Sequence, residues 1–98
     1  MIVVRNTFRL KFGKARDAIA LWKEGMEIGK RAGMSDVRLM TDLTGPSYTL
    51  VMESTSPGLA EFEALAKNVM AMDEWKNWYQ KFVPLVESGS REIFTIVG

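Results

Sequence analysis

A single amide interrupts the most regular pattern in this chain. Ile2, Val4, Phe8, Leu10 and Phe12 alternate with Val3, Arg5, Thr7, Arg9 and Lys11, and Asn6 takes one of the apolar places. Burying an amide without a partner costs roughly 1 to 3 kcal/mol, so Asn6 must be answered by other protein groups, by water or by a ligand. An amide both donates and accepts, which suits a phenol, a quinone oxygen or a developing oxyanion. A structural amide tied to backbone or to buried water satisfies the same pattern, and substitution separates the two readings. Further along, Trp75, Trp78 and Tyr79 stand on adjacent helical turns, where flat faces can line a pocket and stack on an aromatic ligand. Trp22 belongs to the same group of candidate ligand-binding residues. Core packing produces this spacing as well. Tyr79 carries a hydroxyl that can donate, and with Asn6 it forms the candidate catalytic pair. The seven Met residues suit either an adaptable pocket or gap filling in a small core. Arg38 and Arg91 can each reach an anionic ligand, or be solvated or paired across strands.

Composition removes more chemistry than any motif supplies. There is no His, hence no neutral-pH imidazole base and no Ser-His or Cys-His dyad. There is no Cys, hence no disulfide, thiol nucleophile or thiolate metal site. No carboxylates show metal-ligand spacing and no glycine-rich phosphate loop is present, so neither a metal nor a cofactor is expected. The formal net charge is +1, from 13 basic and 12 acidic residues without any long run of like sign, which argues against a nucleic-acid partner. Apolar stretches end well before the ~18 residues of a membrane span. The amino terminus, Met1-Ile2-Val3-Val4-Arg5, does not read as a leader peptide, and a cytoplasmic protein is expected.

Positioning these residues falls to six or seven elements in what reads as one domain, residues 1–98, with 47% hydrophobic residues for a core. Period 2 predicts a strand over Ile2 to Phe12, ending at Gly13. Ala15, Ala18, Ile19, Trp22, Met26, Gly29 and Ala32 recur at three and four, an amphipathic helix stopped by Gly33. Gly25 and Gly29 inside it each cost up to about 1 kcal/mol, and close approach to the sheet is the expected reason. Asp36 to Leu43 and Tyr48 to Ser54 form a hairpin around Thr44-Gly45-Pro46-Ser47. Ser56-Pro57 reads as an N-cap with proline at the first helical position. A second capped segment starts at Asp73, and Pro84 predicts a kink or fraying near its end. Ser88-Gly89-Ser90 is expected to close that helix, and Arg91 to Val97 to form the last strand. The order strand, helix, strand, strand, helix, strand predicts an α+β, ferredoxin-like βαββαβ fold, a four-stranded antiparallel sheet with its helices on one face. Part of the other face is apolar, through Val51 and the residues around Ile93, Phe94, Ile96 and Val97, so a homodimer pairing these faces is expected.

The strand order, the run Val4-Arg5-Asn6-Thr7-Phe8-Arg9-Leu10 leading through a glycine turn into the first helix, and Met72-Asp73-Glu74-Trp75-Lys76-Asn77-Trp78-Tyr79 together resemble the dimeric α+β barrel superfamily. The closest likeness is to its antibiotic-biosynthesis-monooxygenase-like and NIPSNAP-like groups, over nearly the whole chain. The resemblance implies a homodimeric α/β barrel with a small-molecule cavity in each subunit between sheet and helices. It also implies that Asn6 corresponds to the cavity asparagine of the oxygenase and haem-degrading branches. The haem branch places a His in the second helical region, where this chain has Tyr79, so histidine-ligated haem degradation is not implied.

Two functions remain open. One is a homodimeric module, of unassigned activity, that binds a small apolar or aromatic molecule. The other is a cofactor-independent monooxygenase or isomerase acting on an aromatic or quinonoid substrate, which Asn6 would orient.

Overall fold

The computed structural model describes residues 1–98. The alternating segment forms β1 (Ile2–Leu10), whose inward row is Ile2, Val4, Asn6 and Leu10, all buried, with Phe8 half-buried among them. Helix α1 (Ala15–Arg31) follows, its buried stripe running through Ala18, Trp22, Gly25, Ile28 and Gly29. It ends at Gly33, whose φ of +106° supplies the left-handed residue that terminates the helix. Strands β2 (Ser35–Thr41) and β3 (Thr49–Ser56) make the expected hairpin. Asp42 closes it by accepting the Thr49 N–H on Oδ1 at 2.9 Å. Tyr48, expected in the strand, instead sits at the turn with φ +61°, its carbonyl accepting the Leu10 N–H at 2.8 Å. Then come α2 (Leu59–Met70), α3 (Asp73–Phe82), a single 3₁₀ turn at Val83–Leu85 where Pro84 interrupts the helix, and β4 (Val86–Thr95).

The sheet order is β2-β3-β1-β4 with every neighbouring pair antiparallel. This is the ferredoxin-like α+β arrangement, with the helices on the face that carries the inward row of β1. Leu10, Leu50 and Met52 from the sheet meet Ala18, Trp22 and Ile28 of α1 and Trp78 and Phe82 of α3 in one buried cluster. No helix is long and apolar enough to cross a membrane.

Three local readings are corrected. Ser88-Gly89-Ser90 does not close the helix; it lies within β4, with Gly89 opposite Phe8. A Cβ at Gly89 would stand 3.0 Å from the Phe8 ring, so the glycine makes room for a neighbouring aromatic rather than ending an element. Ser56 is not an N-cap, because it is the last residue of β3 and its side chain is buried in the inward row. Helix α2 starts three residues on, after Gly58. Gly25 does approach another element closely, but that element is α3. A Cβ there would fall 2.6 Å from Cε2 of Trp78, whereas one at Gly29 would meet only the mobile thioether of Met34, at 2.7 Å from Sδ.

Candidate functional site

Beyond the aromatic core, the inward face of the sheet and the two short helices diverge and leave a cavity of about 520 Å³, partly open to solvent. Its floor comes from strands: Asn6 on β1, Met52, Ser54 and Ser56 on β3, and Arg91 on β4. Its roof is mostly apolar, with Phe62, Leu65, Ala66, Val69 and Met70 from α2 and Trp75 from α3. Met34, just before β2, closes one side, while Lys76 and Tyr79 contribute from α3.

Sheet register decides which polar groups meet. Asn6 pairs with Met52 across one ladder and with Arg91 across the other, so the side chains of Asn6 and Arg91 rise on the same face. Nε of Arg91 donates to Oδ1 of Asn6 at 2.8 Å. The guanidinium also lies over the Phe62 ring, its Cζ 5.4 Å from the ring centroid, a cation-π contact. Asn6 is only 8% exposed, and its Nδ2 makes no hydrogen bond to another protein group. That nitrogen is not sealed from solvent-sized space either, and Asn6 lines this cavity. Ser54, buried one inward position along β3, likewise has an Oγ with no protein partner. Ser56 is partly satisfied, donating to the Gly58 carbonyl at 3.4 Å.

The structure brings three of the expected residues to this space: Asn6, Trp75 and Tyr79. Tyr79 is half exposed, at the rim. Trp22 and Trp78 do not line the cavity. They are buried in the core, with Trp22 edge-on to Trp78 at 4.5 Å between ring centroids and Trp78 stacked on Phe82 at 5.3 Å. The Trp78 indole N–H donates to the Leu21 carbonyl, while that of Trp22 is buried without a hydrogen-bond acceptor among these rings. The same spacing of three and four therefore holds two walls of the core and one wall of the cavity.

Sequence reasoning missed Ser54, Ser56 and Phe62. The signal for the serines was present: continuing the alternation from Leu50 and Met52 puts two more polar residues in a buried row, the same irregularity that marks Asn6. The hairpin's second strand, read only as far as Ser54, hid it. Of the two arginines, Arg38 is taken up on the opposite face, where its Nη2 donates to Oε1 of Glu53 at 3.1 Å. Arg5 donates to Oε2 of the same carboxylate at 2.6 Å and covers Phe94, with Cζ 5.1 Å from the ring centroid. Phe94, Ile96 and Met40 leave 43%, 42% and 39% of their surface exposed, and register puts Phe94 on that same outer face, opposite Val3.

A second recess of about 480 Å³ adjoins the first and shares Asn6, Tyr79 and Arg91 with it. Asn6, Tyr79 and Arg91 thus border both spaces. Among Asp and Glu side chains, no group of three or more is disposed to hold a metal ion.

The family model described as NIPSNAP matches residues 4–98. An uncharacterized NIPSNAP domain protein from Burkholderia xenovorans superposes with a TM-score of 0.88 at 19% identity, covering 99% of this chain and 95% of that one. A NIPSNAP family protein of unknown function from Agrobacterium tumefaciens strain C58 gives 0.89 at 23% identity, covering 96% and 86%. An antibiotic biosynthesis monooxygenase gives 0.79 at 15% identity, with full coverage of both chains, 100% and 100%. At these identities the structural likeness establishes the fold alone. No curated protein matches the chain.

Proposed function

This chain belongs to the NIPSNAP family, and on that premise we propose that it is a homodimeric binding module. Its ligand is a small, largely apolar or aromatic molecule held between sheet and helices with a polar group on Asn6. One observation carries the reading: a buried amide whose nitrogen has no protein partner lines a cavity of about 520 Å³ with an apolar roof. A purely structural amide would have both its ends on protein groups or on enclosed water rather than one at a partly open cavity.

A thermal-shift screen with phenols, quinones and polyketide-like aromatics tests this. A binder at 100 times its dissociation constant adds about 2.7 kcal/mol, or roughly 10 °C or more in Tm for a domain of this size. Asn6→Leu is expected to abolish that shift while changing the stability of the free protein by less than about 1 kcal/mol, because the exposed Arg91 can turn its Nε to water. A large drop in Tm with the ligand shift intact would make Asn6 a core amide instead.

A second reading, cofactor-independent oxygenation or isomerisation of an aromatic or quinonoid substrate, draws on Asn6 and Tyr79 lining one cavity. There Asn6 would orient a substrate oxygen and Tyr79 donate from the rim. Oxygen uptake or product formation with the compounds that bind would distinguish catalysis from binding.

The homodimer forms through the outer face of the sheet. Support comes from the exposed Phe94, Ile96 and Met40 on that face, since large apolar side chains gathered on one exposed face mark an interface. Light scattering at micromolar concentration is expected to give twice the mass of the 98-residue chain, and Phe94→Asp to halve it. A monomer in both would refute the assembly.

A further inference from the structure

We infer that the natural ligand of this cavity is an anion, an apolar or aromatic body carrying a carboxylate that Arg91 binds. The inference rests on the ligand-binding reading of the cavity and specifies its chemistry.

The lining contains two cations, Lys76 and Arg91, and no Asp or Glu, in a chain whose 13 basic and 12 acidic residues are otherwise nearly balanced. Arg91 is held without being neutralised. Arg5 and Arg38 share Glu53, Arg31 pairs with Glu74, and Lys30 with Glu27. Arg91 has no carboxylate within ion-pairing distance, and Glu87, the acid lining the adjoining recess, forms no ion pair with it. What grips it is neutral: the Asn6 carbonyl on Nε and the Phe62 ring beneath its plane. Both contacts fix the guanidinium's orientation and leave its two terminal nitrogens unpaired, so a planar carboxylate can be met with little further loss of side-chain entropy.

The hydrogen-bond polarity of the floor points the same way. Nε of arginine can only donate, so the end of Asn6 that meets it must be the oxygen. The amide's acceptor is thereby consumed and its donor, Nδ2, is left for the cavity. With the Arg91 terminal nitrogens and the Lys76 ammonium, the obligate donors at this cavity outnumber any obligate acceptor, and the Ser54 and Tyr79 hydroxyls can donate as well. A group that only accepts satisfies all of them. An ionised carboxylate does so, and an amide or alcohol of the same shape does not.

Calorimetric titration with 2-naphthoate and its isostere 2-naphthamide, at neutral pH and low salt, tests the inference. The wild-type protein is expected to bind the acid at least about tenfold more tightly than the amide. In Arg91→Gln that preference is expected to collapse to a factor of about three or less, with circular dichroism confirming the fold. Equal affinities in the wild type would overturn the anion inference and leave the binding reading standing. A preference lost in Lys76→Gln but kept in Arg91→Gln would overturn the role of Arg91. Binding of neither probe would remove the cavity as an aromatic site and the inference with it.

Discussion

Replacing Trp78 with Ala is expected to lower the free energy of unfolding by about 3 to 5 kcal/mol, a large share of the roughly 5 to 15 kcal/mol available to a typical domain. Trp78 is 1% exposed. Its ring stacks on Trp75 and Phe82, at centroid distances of 4.7 and 5.3 Å, and stands edge-on to Trp22 at 4.5 Å. Truncation therefore opens a void at the junction of α1 and α3 and leaves the Leu21 carbonyl without its side-chain donor. Gly25→Ala attacks the same contact from the other side. The new methyl would overlap a ring that has nowhere to move, at an overpacking cost of about 1 to 3 kcal/mol against a helix-propensity gain of up to about 1 kcal/mol. Combined, the two substitutions are expected to cost less than their sum, because the methyl enters the space the indole vacates. Urea unfolding of the four proteins reads all of this; strict additivity would mean that Gly25 and Trp78 are not packed as described.

The second large effect is asymmetric. Arg5→Leu is expected to destabilise the protein by about 2 kcal/mol, and Glu53→Leu by less than about 1 kcal/mol. The Glu53 side chain is 7% exposed, while those of Arg5 and Arg38 are 42% and 69% exposed. Removing Arg5 strands a buried carboxylate on its more distant and more solvated partner. Removing Glu53 leaves two guanidinium groups that water reaches in the single subunit. The figure for Arg5 stays below the about 3 to 5 kcal/mol of fully buried pairs because Arg38 remains and Arg5 is itself partly hydrated. Chemical denaturation of the two variants settles the order, and equal losses would contradict it.

The fold was legible because its elements bury clean periodic rows. The alternation of β1 and the spacing of α1 and α3 needed no information from elsewhere in the chain. The boundaries that failed were those set by partners distant in sequence. Gly89 looks like a breaker until Phe8 is seen opposite it; Ser56 looks like a cap until β3 is extended to include it. The site divides along the same line. Asn6 was visible as a break in a buried row, but whether its amide met protein or open space depended on how far α2 stands off the sheet. Trp22, Trp75 and Trp78 share one periodicity, and only the packing of α1 against α3 assigns two to the core and one to the cavity. Arg91 stood open between anion binding and a solvated or paired strand charge, because nothing local reveals that register seats it beside Asn6.

The aromatic cluster has an optical consequence. The chain has three tryptophans, and all three join one network, with Trp75 4.7 Å from Trp78 and 6.2 Å from Trp22 between ring centroids. At such separations excitation passes from ring to ring far faster than it is emitted. Trp75, half-buried and lining the partly open cavity, is the natural place for it to collect. The two buried indoles then act as an antenna for the one at the wall, so a quencher brought against Trp75 is expected to dim the emission of all three together.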